Sequence, residues 1–267
     1  MQRTDWEHLS ASVREAIEAR TGPVHAASTA QAGKNSAIAA LLETSAGRIF
    51  IKGLRTEDPR AVAQRREAAV SPYVSPLSPK LLWHTEIDGW NLLGFRAADG
   101  QHADYSPGSA DIPKVVDVMR RLALLWCPDL PQLKRAERRW ADYIAPADLP
   151  MLCGDTLLHT DYAPDNILID GSNARLIDWA WPTFGAAFID PCCLIVRLIL
   201  AGHTPAEAEA CVAETAAWQD ASTRAVDVFA SGLMTMWAEI SDADPTPWKR
   251  QMAASARSWL AHRQTGD

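Results

Sequence analysis

Four polar residues near the middle of the chain have the types and the spacing to activate a hydroxyl group beside a metal ion. Asp161 follows His159 by two residues and precedes Asn166 by five, and Asp178 comes after two short apolar runs. Carboxylate and amide oxygens are ligands that Mg²⁺ accepts in proteins, so Asn166 and Asp178 are the candidate metal ligands. Asp161 is the candidate that accepts the proton of an attacking hydroxyl. His159, the other residue of the catalytic set, is expected to brace the loop through hydrogen bonds.

The two apolar runs must bring the candidate metal ligands together. They flank residues 171–173, a Gly-Ser-Asn sequence, and this pattern predicts a β-hairpin with a three-residue turn. With residue 170 paired to residue 174, Asn166 lies opposite Asp178, and cross-strand neighbours are about 5 Å apart. One hard cation can bridge two oxygen ligands at that distance.

A lysine in an otherwise apolar strand predicts a second part of the site. Lys52 follows the apolar residues 49–51 in a run that favours burial, and a buried ammonium group needs an anionic partner. Glu67, on the helix predicted after Asp58, is the candidate partner. The alternative is that Lys52 reaches solvent from a strand end and that Glu67 is solvated. The polar residues downstream favour the ion pair, in which Lys52 would hold phosphate oxygens of a nucleotide.

Two further positions concern the same nucleotide. The strand predicted over residues 89–96 leads to Phe95 and Ala97, and the base is expected to bond to backbone groups at this strand exit. The loop around Gly33 would let backbone N–H groups approach phosphates, although it matches neither of the glycine-rich phosphate-binding patterns. A plain hairpin turn is the competing interpretation of that loop.

The order of the predicted elements divides the chain into two parts. Residues 1–96 contain a helix candidate over Trp6–Arg20 and then antiparallel strands with one helix inserted between them. Residues 97–110 are polar and rich in turn residues, which predicts a hinge. Residues 111–267 are mostly helical in pattern and include a helix predicted over Leu133–Ile144. The sequence therefore predicts an α+β fold with a β-rich N-terminal lobe for the nucleotide and a helical C-terminal lobe for catalysis and the acceptor.

Composition narrows the class of partner. The 267 residues carry a net charge of −7, which argues against a nucleic-acid partner because nucleic acids favour a basic surface. No apolar run approaches the roughly 18–20 residues that cross a bilayer, and the charged N-terminus lacks the apolar segment of a secretory signal. We therefore expect a cytoplasmic protein with no membrane partner. The five cysteines show no metal-ligand spacing and are expected to be reduced thiols.

The run HTDYAPDNILIDG that starts at His159, followed by LIDW, resembles the aminoglycoside phosphotransferase family. The resemblance covers roughly residues 24–240 and is strongest over residues 157–193. It implies a bilobal protein-kinase-like fold, ATP or GTP as the phosphoryl donor, and Mg²⁺ held by the ligands named above. It also implies Asp161 as the catalytic base and Asp190 as the acid that anchors the catalytic loop.

We expect an ATP- or GTP-dependent O-phosphotransferase that acts on a hydroxyl group of a small molecule. The family includes kinases of antibiotics, choline, homoserine and sugars, so the resemblance leaves the acceptor open between an aminoglycoside-like antibiotic and a metabolite. Residues from 200 onward carry nine acids against five basic side chains, which suits a cationic acceptor but is equally typical of a solvated helix face. A nucleotide-binding pseudokinase is a third hypothesis, and the complete set of candidate residues argues against it. The sequence does not fix the oligomeric state.

Overall fold

A five-stranded antiparallel sheet forms most of the N-terminal part of the structure. The computed structural model describes residues 3–30 and 35–266, so the loop predicted at Gly33 lies outside the described residues. The strands lie side by side in the order first, second, third, fifth, fourth. They are β1 (Val24–Thr29), β2 (Ile38–Thr44), β3 (Gly47–Arg55), β4 (Leu81–Ile87) and β5 (Trp90–Arg96).

Two helices accompany this sheet. α1 (Ala11–Thr21) precedes it, and α2 (Ala61–Val74) is inserted between β3 and β4. The helix predicted from Trp6 begins later, because Trp6–His8 form a separate 3₁₀ turn and the Ser10 hydroxyl caps α1.

The predicted hinge contains a short strand. β6 (Gln101–His102) lies within residues 97–110 and pairs with β9 (Ile167–Asp170). β9 forms the central hairpin with β10 (Asn173–Leu176). The segment that leaves the large sheet is therefore bonded to the hairpin that carries the candidate site. The lobe boundaries at residues 96 and 110 stay a prediction.

The hairpin has a different register from the predicted one. Asp170 pairs with Asn173, so the turn has two residues instead of three. Gly171 supplies the positive φ of 56° that a two-residue turn of this kind uses. Asn166 consequently lies opposite Ile177, the residue before Asp178. The carbonyl oxygen of Asn166 accepts the N–H of Ile177 at 2.9 Å.

The helix predicted over Leu133–Ile144 does not form. This segment contains β7 (Lys134–Arg135) and the four-residue α4 (Ala136–Arg139). β7 pairs with β11 (Thr183–Gly185), which also pairs with β8 (Thr156–Leu158). Pairing with distant strands therefore outweighs the helix propensity of this charged run.

Helices form most of the C-terminal part, and α5, α6 and α8 pack against α9. Within residues 3–30 and 35–266, no helix has the length and hydrophobicity needed to span a membrane. The helices are α3 (Ile112–Leu122), α5 (Ile189–Leu200), α6 (Pro205–Val212), α7 (Ala216–Gln219), α8 (Thr223–Ala243) and α9 (Pro247–Thr265).

Two clusters of buried apolar side chains support this arrangement. The smaller cluster joins α1 to the sheet and includes Val13, Ile17 and Ile51. The larger cluster fills the C-terminal part and also includes Val70 and Val74 of α2. Because one end of α2 packs into the larger cluster, this helix connects the sheet to the C-terminal helices.

Replacement of Ile17 by Ala tests the smaller cluster. Ile17 is fully buried, so we expect Ile17→Ala to lower the free energy of unfolding by about 2–5 kcal/mol. Urea denaturation monitored by circular dichroism measures the change. Glu15→Ala, on the exposed face of α1, is the matched control and should change the free energy by less than about 0.5 kcal/mol. Equal stability of Ile17→Ala and the wild type would contradict this packing.

Candidate active site

Lys52 lies between two carboxylates that come from distant parts of the chain. Its Nζ is 2.6 Å from Oε2 of Glu67 on α2 and 3.0 Å from Oδ1 of Asp178, which follows the hairpin. The Lys52 side chain is 12% exposed and the Glu67 side chain 4% exposed. The predicted contact between Lys52 and Glu67 is thus present, and the solvated alternative is wrong for both residues.

The charges in this group decide its protonation. Burial by itself lowers the pKa of Lys52, but the charges of Asp178 and Glu67 outweigh burial and raise that pKa above its ordinary value. The Lys52 ammonium in turn lowers the pKa of Asp178. Burial raises the pKa of Glu67, and the nearby charge of Asp178 adds to the rise, because one ammonium group is shared between two carboxylates. Lys52 is therefore held as a cation at the junction of the two parts of the chain.

The loop that carries Asp161 is anchored by a buried acid. The carboxylate of Asp190, at the start of α5, accepts the backbone N–H groups of His159 at 3.0 Å and Thr160 at 2.9 Å, and the hydroxyl of Tyr162 at 3.0 Å. Burial raises the pKa of Asp190, and these three donors counteract the rise. The position of Asp190 matches the anchoring role that the family resemblance implies for it.

His159 braces the loop from the inside. It is 1% exposed, and its Nε2 lies 3.0 Å from the carbonyl oxygen of Ile177. Its Nδ1 accepts the N–H of Asp161 at 3.3 Å, which assigns the proton to Nε2 in the neutral ring. Its ring also packs edge-on against the ring of Trp179, with the centroids 4.6 Å apart. These contacts suit a bracing residue, as expected, and they leave neither ring nitrogen facing a bound molecule.

Asp161 is in contact with a cation that the sequence did not lead us to expect. Nη2 of Arg197, on α5, donates to Oδ1 of Asp161 at 2.9 Å. The Asp161 side chain is 32% exposed and the Arg197 side chain 14% exposed. Arg197 also lies over the ring of Trp237, 5.7 Å from its centroid. One carboxylate oxygen of Asp161 is therefore fixed, and the other remains for a further partner.

Arg139 holds the same loop from α4. Its guanidinium donates to the hydroxyl of Thr160, to the hydroxyl of Thr183 at 2.9 Å and to the carbonyl oxygen of Trp181 at 3.3 Å. All three acceptors are uncharged. Burial lowers the pKa of Arg139 to about 10. Thr160, between His159 and Asp161, is consequently fixed by the guanidinium group of Arg139.

The candidate metal ligands have oxygens free to bind a cation. Asn166 donates from Nδ2 to the carbonyl oxygen of Asp161 at 3.1 Å, which leaves its amide oxygen unoccupied by that bond. Asp178 uses Oδ1 for Lys52 and retains Oδ2. Mg²⁺ in nucleotide sites typically takes one or two protein oxygens together with phosphate oxygens and water, so this donor set fits the ion. In the described part of the chain, no group of three or more His, Cys, Asp or Glu residues forms a different metal site.

Two non-glycine residues of the site have left-handed backbone conformations. Thr160 has φ 65° and Asp178 has φ 61°. Such conformations are unfavourable for residues with a Cβ and persist only where surrounding contacts hold them. Here Asp190 and Arg139 hold Thr160, and Lys52 holds Asp178.

The predicted base-binding positions lie at the edge of the same group. The ring of Phe95 is 5.9 Å from Nζ of Lys52, and Phe95 is 8% exposed. The N–H of Ala97 already donates to the carbonyl oxygen of Arg48 at 3.1 Å, so that donor is not free for a base. Phe95 and Ala97 stay predictions as nucleotide contacts.

Sequence reasoning missed Arg197 and Arg139. A signal for Arg197 was available, because it follows Asp190 by seven residues on a predicted helix and i, i+7 positions share a helix face. Arg139 offered no comparable signal, since its partners lie more than twenty residues away along the chain.

Removal of the Lys52 charge should destabilise the protein in a pH-dependent way. At pH 7, Lys52→Met leaves the buried carboxylate of Glu67 and the partly exposed carboxylate of Asp178 without a cation, which should lower the free energy of unfolding by up to about 3–5 kcal/mol. Without the ammonium the pKa values of Asp178 and Glu67 rise, so these groups take up protons as the pH falls and their repulsion disappears. In the wild type, by contrast, the lowered pKa of Asp178 gives a stability that is lost as the pH falls.

The difference in the free energy of unfolding between Lys52→Met and the wild type should therefore become smaller as the pH is lowered to about 4–5. Urea denaturation at several pH values measures it. Lys80→Met, at an exposed lysine, is the control and should differ little from the wild type at every pH. A pH-independent difference would show that the carboxylates are not coupled to Lys52.

Comparison with solved structures identifies the fold. The chain superimposes on the choline kinase LicA from Streptococcus pneumoniae with a TM-score of 0.64 and 14% identity, covering 94% of this chain and 98% of that one. It also matches a thermostable mutant of aminoglycoside phosphotransferase APH(4)-Ia in a ternary complex with ADP and hygromycin B, with a TM-score of 0.56, 15% identity, and 93% and 99% coverage. The structure of the gentamicin–APH(2")-IIa complex matches with a TM-score of 0.55 and 12% identity, covering 95% of this chain and 96% of that one.

No protein-family model and no curated protein sequence matches the chain. At identities of 12–15% these structural matches establish the fold. The predicted resemblance is confirmed at that level: the chain has the bilobal, mixed α+β protein-kinase-like fold of choline kinase and the aminoglycoside phosphotransferases.

Proposed function

We propose that this protein is a small-molecule kinase that transfers the γ-phosphoryl group of ATP to an alcohol. The observation that carries the proposal is the position of Asp161. It lies on a loop clamped by Asp190 and is bonded through its carbonyl oxygen to Asn166, which leads into the hairpin that ends at Asp178. Lys52 contacts Asp178 from the sheet. The candidates for the proton acceptor, the two metal ligands and the phosphate-binding cation are thus linked by direct contacts, which supports the proposal.

The nucleotide would bind between the sheet and the hairpin. Lys52 is a cation whose partner Glu67 keeps it pointed at Asp178, and such an ammonium can hold α- and β-phosphate oxygens. Asn166 and Asp178 would hold Mg²⁺, which neutralises charge on the phosphates when bound. Structural neighbours bind ADP, AMP-PNP or AMP, which supports an adenine nucleotide as the donor in preference to GTP.

The chemical step is an in-line displacement. The acceptor hydroxyl oxygen forms a bond to the γ-phosphorus while the bond between that phosphorus and the bridging oxygen of ADP breaks. The free carboxylate oxygen of Asp161 orients the hydroxyl and takes its proton. Arg197 holds the other oxygen at 2.9 Å, which fixes the direction of the free one. His159 and Asp190 keep the loop in place and do not exchange protons with the substrate.

The surroundings of Asp161 bear on the acceptor. The charged group in contact with it is the cation Arg197. Several acids of the C-terminal helices are engaged within the protein: Glu209 and Asp227 by Arg263, and Asp244 by Lys249. These three acids are therefore not available to a polycationic acceptor. Together with the cation in contact with Asp161, this favours a metabolite alcohol over an aminoglycoside-like antibiotic.

Replacement of Asp161 by Asn tests the reaction. We expect Asp161→Asn to lower acceptor-dependent ADP release by about 10²- to 10⁴-fold, because an amide cannot take the proton of the hydroxyl. The assay uses Mg-ATP with a panel of alcohols that includes hygromycin B, gentamicin, choline, homoserine and neutral sugars. Asp165→Asn, an exposed acid of the same loop, is the control and should retain activity.

Wild-type turnover in Asp161→Asn would exclude Asp161 as the base. Mg-ATP binding in a thermal-shift assay without transfer to any acceptor would favour the pseudokinase hypothesis. The acceptor that gives the highest kcat/KM separates the antibiotic hypothesis from the metabolite hypothesis.

Replacement of a proposed metal ligand should change the metal requirement. Asp178→Asn should raise the Mg²⁺ concentration for half-maximal activity by at least about 10-fold, because an amide oxygen carries no charge and the loss of a residue that only orients a ligand already costs about 10- to 100-fold in metal affinity. Asp170→Asn, on the exposed turn of the same hairpin, should leave the Mg²⁺ dependence unchanged. Activity titrated with Mg²⁺ at fixed ATP measures both variants, and identical titration curves would exclude Asp178 as a ligand.

A further inference from the structure

A cavity of about 670 Å³ lies outside the proposed site, between α2 and the segment that leads into β7. Residues 131–134 form one wall, and residues of α2 with His84 of β4 form the other. Lys52, Glu67, Asp161, Asn166 and Asp178 do not line it. Its volume lies in the range of small-molecule sites, about 300–1,000 Å³.

The ionisable side chains that line this cavity are all basic. Arg65, Arg66, His84 and Lys134 line it, and no acid does. Arg65 forms an ion pair at 2.7 Å with Glu86, a residue that does not line the cavity. Neither Arg66 nor Lys134 forms an ion pair with a described residue. This local surplus of positive charge contrasts with the net charge of −7 for the chain.

Arg66, Lys134 and Arg139 are close enough to influence one another. Burial, Arg66 and Arg139 all lower the pKa of Lys134. Burial lowers the pKa of Arg66, and Arg66 contributes to the lowered pKa of Arg139. Lys134 also lies over the ring of Trp181, 4.7 Å from its centroid, and Arg139 lies over the same ring at 5.2 Å. In the described part of the chain, Arg66 and Lys134 have no anionic side chain in contact with them, so their charges repel each other, and an anion between them would reduce this repulsion.

We propose that this cavity binds the phosphate group of a small phosphorylated molecule, at a site separate from the one for nucleotide and acceptor. Arginine and lysine together are the side chains that phosphate recognition favours, because the guanidinium binds two oxygens and the ammonium supplies a compact charge. The cavity is larger than a phosphate ion alone. The uncharged residues Val62, Ala68, Ala69, Pro131, Gln132 and Leu133 complete its lining and suit an uncharged remainder of the ligand.

Such a ligand would connect two parts of the molecule. Arg66 lies on α2 directly before Glu67, the partner of Lys52. Lys134 begins β7, which belongs to the same small sheet as β8, the strand that leads into the Asp161 loop. A phosphate bound to Arg66 and Lys134 would therefore tie α2 to the C-terminal part. Binding does not depend on the proposed transfer reaction, so the two can fail independently.

Inorganic phosphate is the probe in the test. The melting temperature of the full chain is measured with increasing phosphate, and in sodium chloride of equal ionic strength as the reference. Arg66→Gln and Lys134→Gln are compared with the wild type and with Arg138→Gln, an exposed arginine of α4 that does not line the cavity. We expect phosphate to raise the melting temperature of the wild type and of Arg138→Gln beyond the chloride effect. Either cavity variant should lose at least half of that rise.

A second readout separates ligand binding from a structural role. Without phosphate, Arg66→Gln and Lys134→Gln should melt at or above the wild-type temperature, because each removes one of the crowded cations. If both melt clearly below it, these residues stabilise the fold and the proposal is overturned. Equal phosphate responses in all four proteins would place the ion elsewhere, including the nucleotide site, and would overturn it too. So would a wild-type response that does not exceed the chloride effect at millimolar phosphate.

Discussion

A single buried ammonium group connects the two halves of this molecule. Lys52 belongs to the antiparallel sheet, Glu67 to the helix inserted in it, and Asp178 to the end of the central hairpin, and the three meet within 3.0 Å. Replacing Lys52 leaves two carboxylates without a cation, and replacing either carboxylate removes one of the two contacts that fix the ammonium group, so the three positions depend on one another. The relative placement of the sheet and the hairpin, and with it the proposed nucleotide site, depends on this contact together with the packing of α2 and the pairing of β6 with β9.

The Asp161 loop is held by a different kind of constraint. Asp190 replaces the water that would otherwise bond to the N–H groups of His159 and Thr160, and Arg139 fixes the side chain of Thr160 from α4. A rigid loop of this kind holds a carboxylate at a fixed place before any substrate arrives, which is the condition for efficient positioning of a hydroxyl. Only 14% of the residues aligned with LicA are identical, but a buried acceptor opposite adjacent N–H donors is a requirement of the backbone itself.

Much of this organisation could be predicted from the sequence. The sheet, the inserted helix and the pairing of Lys52 with Glu67 follow from local patterns, because a lysine among apolar strand residues must find an acid. The hairpin register could not be read, because turns of two and three residues both fit a Gly-Ser-Asn sequence. The helix predicted over residues 133–144 was wrong because part of this segment forms β7, which exists only through pairing with β11. β11 lies about fifty residues further along the chain. Arg139 was missed for the same reason, since long-range hydrogen bonds leave no periodic signal.

Thr160 and Asp178 show how far this site departs from what is best for the fold. Their left-handed backbone conformations cost about 1–3 kcal/mol each for residues with a side chain. Backbone conformation alone would favour glycine at both positions, but glycine would remove the hydroxyl that binds Arg139 and the carboxylate that binds Lys52. The two residues therefore mark places where backbone conformation and side-chain contacts make opposite demands, so an engineered stable form of this protein should be sought through substitutions elsewhere.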